Sequence, residues 1–185
     1  MGTRNHLIST ANTLLAEEGV GAVTLRGIAK AAGVSHGAPL RHFSGRAELL
    51  SAVAVLGYRQ LLERRELLPD GTARERLTAA CHGYLDFALG NPAMFELMFR
   101  RDLIDPDDPE LTAVSSAVFD FFAELVAAVQ AGNWHQGTDP RLLATSLWAA
   151  LHGLAQLWLW GGLAGASFAP SAEVALAVTL DAYLG

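Results

Sequence analysis

Apolar residues return every three or four positions along nearly the whole chain, and alternation of period two is essentially absent, so the pattern predicts an all-helical protein. Leu7, Ile8, Ala11, Leu14 and Leu15 share one face of a helix over residues 3–18, with Gly19 where the chain leaves it. Thr24 is a natural N-cap for a short helix with Ile28, Ala29 and Ala32 on its buried side, ended by Gly33. Ser35 is placed to cap a second short helix through Phe43, with Pro39 in its first turn or so. Further helices are predicted over 47–68, over 72–89 with Thr72 as cap, over 93–101 and over 111–131. Another runs from Asp139-Pro140 to about Gly161, and a last one over 171–184. Asp102 to Pro109 reads as a solvated acidic loop. The result is a three-helix head over residues 1–46 and a six-helix body over 47–185.

The segment Thr24 to Arg46, TLRGIAKAAGVSHGAPLRHFSGR, carries the most specific chemistry. A helix-turn-helix needs a first helix across the DNA backbone, a tight turn, and a second helix whose first residues meet base edges in the major groove. Thr24 and Arg26 stand at the start of the first helix, where free backbone N–H groups attract phosphate. Ala31-Ala32-Gly33-Val34 supplies small residues for a close crossing. His36, Gly37, Ala38 and Arg41, following Ser35, are the candidates to face bases, and His42 and Arg46 are candidate phosphate contacts just beyond. The competing reading of the same residues is a surface helical hairpin with ordinary caps.

Charge decides how far to take this. The formal net charge of −6 argues against a nucleic-acid binder taken whole, but residues 1–50 hold five basic and three acidic side chains, and residues 51–185 hold eight basic and sixteen acidic. The positive end is the end with the motif. The single cysteine, Cys81, cannot form an intramolecular disulfide, and the start MGTRNHLIST lacks the order of a secretory signal, so a cytoplasmic protein is expected. Adjacent Cys81 and His82 would point about 100° apart on a helix and do not make a nucleophile–base pair. No metal-ligand spacing or glycine-rich phosphate loop occurs, so no enzyme, cofactor or metal site is predicted.

Gly19, Thr24, Ile28-Ala29, Ala32-Gly33-Val34-Ser35, His42-Phe43, Arg46 and Leu49-Leu50 together resemble the signature of the TetR family of transcriptional regulators. The resemblance implies a homodimer whose heads bind a palindromic double-stranded operator and whose C-terminal body binds a small-molecule inducer and dimerises. It adds Leu40 to the candidate DNA-facing residues, in a place where family members usually carry a tyrosine. The alternative is a helical small-molecule-binding dimer whose DNA head is not functional.

In the body, no Asp, Glu, Lys or Arg occurs between Arg141 and Glu173. A membrane span is disfavoured by Thr145, Ser146, His152 and Gln156, by Gly161-Gly162, and by the absence of a basic flank. The expectation is a helix buried on nearly all sides, with Ser146, Ala149, Gly153 and Gln156 as a small or polar stripe for a partner helix. Dimerisation through the last two helices follows from the resemblance. Trp148 with His152-Gly153 resembles the Trp-His-Gly pattern of one C-terminal subgroup. Tyr84, Phe87, Met94, Met98, Phe119, Phe122, Trp148 and His152 are the candidate ligand-pocket residues, each equally readable as core packing. A largely hydrophobic ligand is favoured, with Arg100 or Arg101 as a candidate anion contact at the pocket mouth.

Overall fold

The computed structural model describes residues 2–163 and 169–185; of the predicted features, none of the candidate site residues falls outside them. Among the described residues there are eight α-helices and no strand. They are α1 (Thr3–Glu18), α2 (Leu25–Ala31), α3 (Arg46–Glu63), α4 (Ala73–Gly90), α5 (Pro92–Phe99), α6 (Pro109–Gln130), α7 (Pro140–Leu159) and α8 (Ala172–Leu184). Short 3-10 turns at Val20–Ala22, Pro39–Arg41 and Arg64–Leu67 complete the order.

All but one of the caps read from the sequence form as side-chain hydrogen bonds. Thr24 Oγ1 accepts the Gly27 N–H at 2.9 Å. Asp139 accepts the N–H groups of Arg141 and Leu142 at 2.7 and 3.3 Å, with Pro140 behind it in the first turn. Thr72 and Glu75 form a reciprocal capping box, in which the Glu75 N–H donates to Thr72 Oγ1 at 3.2 Å and the Thr72 N–H to Glu75 Oε2 at 2.8 Å. Those bonds to Thr72 hold the Glu75 carboxyl below its ordinary range. At the end of α2, Gly33 N–H bonds to Lys30 O and Val34 N–H to Ala29 O, and Gly33 takes φ +67°. That is a Schellman turn, which is why a glycine stands there.

The second short helix differs from its prediction. Ser35 does not cap an α-helix through Phe43; the chain turns and forms only the 3-10 helix Pro39–Arg41. Pro39 has no N–H to give to Ser35, and Gly37 adds conformational entropy, so bonds of the i to i−3 kind take over. Ala38 N–H donates to Ser35 O, Arg41 N–H to Ala38 O and His42 N–H to Pro39 O. The long third helix likewise ends at Glu63 and tightens into 3-10 geometry over Arg64–Leu67 rather than continuing to Leu68.

Packing divides the chain into two compact units, Met1–Gln60 with Asn91–Ser116, and Leu61–Gly90 with Ala117–Gly185. In the first, Leu7, Ala11, Leu15, Val23, Ile28, Ala29, Phe43, Leu49 and Leu50 are buried together. α5 packs against α1, and its approach to α3 depends on Gly57, where a Cβ would lie 2.6 Å from Met98 Sδ and 2.7 Å from Met94 Sδ. The Tyr58 hydroxyl donates to Met98 O at 2.9 Å, and burial pushes its pKa to about 12. The acidic loop is not wholly solvated, because Ile104 is buried and the Asp105 N–H donates to the fully buried Ser51 hydroxyl at 2.8 Å.

In the second unit, α7 packs on α4 and α8 through Ala144, Leu147, Leu151 and Ala155. It is not buried on nearly all sides in the single chain: Leu142 and Trp160 are 63% and 67% exposed, and Ser146 and Ala149 are also exposed. One helix can bury only the face its neighbours cover, and α4 and α8 cover one stripe. Arg74 from α4 donates to the carbonyl of Leu184, where the C-terminal end of α8 welcomes a cation.

Gly27 generates a test of the head. A Cβ there would lie 2.9 Å from both the Ala22 carbonyl oxygen and Thr24 Oγ1, so neither backbone nor cap can yield cheaply. Gly27→Ala is expected to lower unfolding free energy by about 1–3 kcal/mol in urea titration. Gly21→Ala, whose Cβ would meet nothing within 4 Å, should stay within about 0.5 kcal/mol of the parent.

Candidate nucleic-acid interface and ligand cavity

From Thr24 to Arg46 the chain carries Arg26, Lys30, Arg41 and Arg46 and no carboxylate. Thr24, Arg26, Lys30, Ser35, His36, Gly37, Leu40 and Arg41 are exposed, while Ala38, His42 and Arg46 are half-buried. The buried anchors beneath this surface are Ile28, Ala29, Pro39 and Phe43. Pro39 and Phe43 turn inward, leaving His36, Gly37, Leu40 and Arg41 outward. Leu40, at 62% exposure, is a large apolar side chain on an otherwise polar and basic face.

Arg46 is committed inside the head. Its Nε donates to Val23 O at 2.7 Å and its Nη2 to Val20 O at 2.6 Å, so the guanidinium ties the first turn of α3 to the 3-10 turn that leads into α2. Arg4 lies over the Phe43 ring at 5.4 Å, and the His6 ring bonds to Ala32 O at 3.3 Å. Both contacts hold α1 against the helix-turn-helix. The Ser44 N–H donates to Glu48 Oε2 at 2.7 Å, which draws that carboxyl below its ordinary range and closes the entry to α3.

In the second unit, Trp148 is the hub of an aromatic cluster, with ring centroids of Tyr84, Phe122 and Phe119 at 5.0, 5.4 and 5.9 Å. The Tyr84 hydroxyl and His152 Nδ1 are hydrogen-bonded at 2.9 Å. Burial lowers the His152 pKa from its ordinary value, so the imidazole is held neutral. Tyr84, Phe122 and Trp148 line a cavity of about 90 Å³, whose other walls include Leu61, Val118 and Phe121 and whose charged residues are Arg64 and Arg65. Phe119 and His152 stand behind Trp148 and Tyr84. Phe87 is 2% exposed within the core.

Met94 and Met98 belong to the first unit, against Gly57. Arg100 is not a pocket-mouth residue: its guanidinium pairs with Asp102 at 2.8 Å and Glu96 at 3.1 Å in that same unit, and those carboxylates raise its pKa further. Arg101 lines a different cavity, with Tyr58 and Met98. Arg64 and Arg65 line the Trp148 cavity instead. Their signal in the sequence is slight, an arginine pair at the end of a long amphipathic helix, and nothing in the periodicity separates it from a solvated face. Cys81 is fully buried and its thiol is raised to about 12 by burial, so it stays protonated and serves packing.

A capped helix, a glycine turn and an exposed basic segment over a buried apolar floor define a helix-turn-helix protein with a separate helical body. Residues 7–53 match the family described as bacterial regulatory proteins, tetR family, and residues 77–183 match the Tetracyclin repressor-like, C-terminal domain. The chain belongs to the TetR family of transcriptional regulators, soluble DNA-binding proteins that are not enzymes. It is 27% identical over 162 residues to the HTH-type transcriptional activator FasR of Mycolicibacterium smegmatis, covering 84% of this chain and 72% of that protein. A protein of unknown function from Rhodococcus sp. RHA1 superposes with TM-score 0.83 at 31% identity, over 100% of this chain and 94% of that one. The fatty acid degradation regulator FadR of Bacillus halodurans shares the fold, with TM-score 0.76 at 17% identity, over 100% and 96% of the two chains.

His152 gives a pH test. The unfolded chain takes up a proton near pH 6.5, its ordinary value, while the folded chain resists until lower pH. Stability from this group is therefore complete above about pH 6.5 and is lost as pH falls through the lowered folded value. Urea midpoints measured from pH 8 to 5 should decline below about 6.5, and His152→Gln should flatten that part of the decline.

Proposed function

We propose that this protein is a ligand-responsive transcription regulator, a homodimer whose heads grip a palindromic operator and whose body releases it when a small hydrophobic molecule binds. The observation that carries this reading is the exposed, carboxylate-free surface from Thr24 to Arg41 held on a buried core. Thr24 and Arg26 at the α2 N-terminus, with His42, contact phosphate. Ser35, His36, Gly37, Ala38, Leu40 and Arg41 enter the major groove, where Arg41 reads guanine and Leu40 makes apolar contact with a thymine methyl. Arg46 supports DNA binding by holding the head in shape, since two of its donors already serve Val20 and Val23. The DNA-binding domain is residues 1–46, and residues 47–185 bind ligand and dimerise.

The dimer forms through α7 and α8. Leu142 and Leu157 of α7, Trp160 at its C-cap, and Val174 and Val178 of α8 are exposed large apolar side chains on helices that pack together. Such a face is covered when a second copy completes a four-helix bundle. α6 and α7 are also long and apolar enough to cross a bilayer, and this pairing accounts for the apolar surface of α7 in a cytoplasmic protein.

The helix that begins with Arg46 ends in the 3-10 turn that lines the Trp148 cavity. A ligand there shifts that helix and moves the heads out of register, with a coupling of about 1–3 kcal/mol, or roughly 5 to 150-fold in operator affinity. The notion of repression has one rival, activation, favoured by the relative that is named a transcriptional activator. The sign depends on where the operator lies.

Fluorescence anisotropy of the purified protein on its own upstream DNA, across salt and against a scrambled duplex, tests the reading. Sequence-dependent binding that falls steeply with salt is the expected result. Equal weak binding to both duplexes would sink the operator reading and leave a ligand-binding dimer with a silent head. Arg26→Ala should weaken both duplexes alike, Arg41→Ala should change base preference, and Arg46→Ala should weaken DNA binding together with thermal stability.

A further inference from the structure

We infer that the cavity beside Trp148 takes an amphipathic anion, its apolar tail against Trp148, Tyr84 and Phe122 and its carboxylate or phosphate headgroup on Arg64 and Arg65. This rests on the ligand-responsive reading above and specifies the chemistry of its ligand.

The walls are aromatic and aliphatic, the only charged residues among them are these two arginines, and no carboxylate joins them. Several other guanidinium groups in the body and its neighbouring helices are engaged. Arg59 pairs with Glu110 at 2.6 Å, Arg100 with Asp102 and Glu96, and Arg141 with Asp120 at 2.7 Å. Arg74 holds the Leu184 carbonyl. Among the described residues, Arg64 and Arg65 form no ion pair, although Glu63 and Glu66 flank them in sequence. Two arginines, consecutive in sequence, line the same apolar cavity, and guanidinium donors fit a planar carboxylate or a phosphate.

Arg64 is half-buried and lies over Gly83, where an added Cβ would meet its Cδ and Nη1 at 3.9 Å. The same side chain lines a second, open groove with Arg74 and His82, where Glu75 and Asp86 balance the charge. Cationic excess is therefore confined to the cavity side. The cavity's volume of about 90 Å³ is below the roughly 300–1,000 Å³ of most small-molecule sites. Its tail-binding part thus admits a short alkyl segment, bordered by Leu67, 76% exposed, and Leu68.

The test is calorimetric titration of the full chain with octanoate, octyl phosphate, octanol and octylammonium, each below its micellar concentration. Anisotropy on upstream DNA is read in the same samples. At least one of the two anions should bind about tenfold tighter than octanol, and octylammonium should bind most weakly. The tighter of octanoate and octyl phosphate identifies the headgroup. In the double variant Arg64→Gln, Arg65→Gln the anion advantage should vanish, while octanol affinity and the thermal midpoint stay at the parent values. Octanol binding as tightly as both anions would overturn the anion site and leave the ligand-responsive regulator standing with a neutral effector. Binding by none of the four, with DNA affinity unmoved, would overturn the anion site and also remove this cavity from the regulatory reading.

Discussion

The Arg46 guanidinium holds the head together at the point where its sequence-distant parts must meet. It bonds to the carbonyls of Val20 and Val23, which stand at the start of a 3-10 turn and just past its end, more than twenty residues earlier. The Val23 carbonyl, on a fully buried residue, would cost on the order of 1–3 kcal/mol if left unmet. The planar guanidinium reaches both acceptors at once with donors held in fixed directions. Because the turn leads straight into Thr24, the angle of α2, and with it the glycine turn and the exposed 35–42 segment, follows from this one contact.

Much of the architecture could be read from local rules, because those rules act locally in the fold as well. Thr24, Thr72, Asp139 and Ser171 cap where their spacing places them, and Gly33 sits in the left-handed conformation that its position after α2 demands. The departure of Ser35 to Phe43 from α-helical geometry has a local cause too. Pro39 can begin a helix but cannot return a hydrogen bond to Ser35, and with Gly37 nearby the chain settles for 3-10 geometry.

What could not be read is which partners share a space. Size and helical face mark eight side chains as fit for a pocket, and neither property tells Met98, which meets Gly57, from Phe122, which meets Trp148. Arginines are harder still, since their long stems reach several neighbours from one backbone position. Arg100 and Arg64 look alike in sequence, yet one is held by two carboxylates and the other borders an apolar cavity. The polar role of Arg46 was visible as a charge near DNA but not as a clamp on carbonyls, because carbonyl acceptors are common to every residue and leave no mark in the sequence.

The close approach at Gly57 has an evolutionary reading. With two sulfur atoms lying where a Cβ would go, positions 57, 94 and 98 share one fixed volume. A relative that carries alanine or serine at position 57 must re-route the side chains at 94 and 98, shorten one of them, or open the gap between its third and fifth helices. These three positions, far apart in sequence, should therefore vary together across the family even though none of them touches DNA.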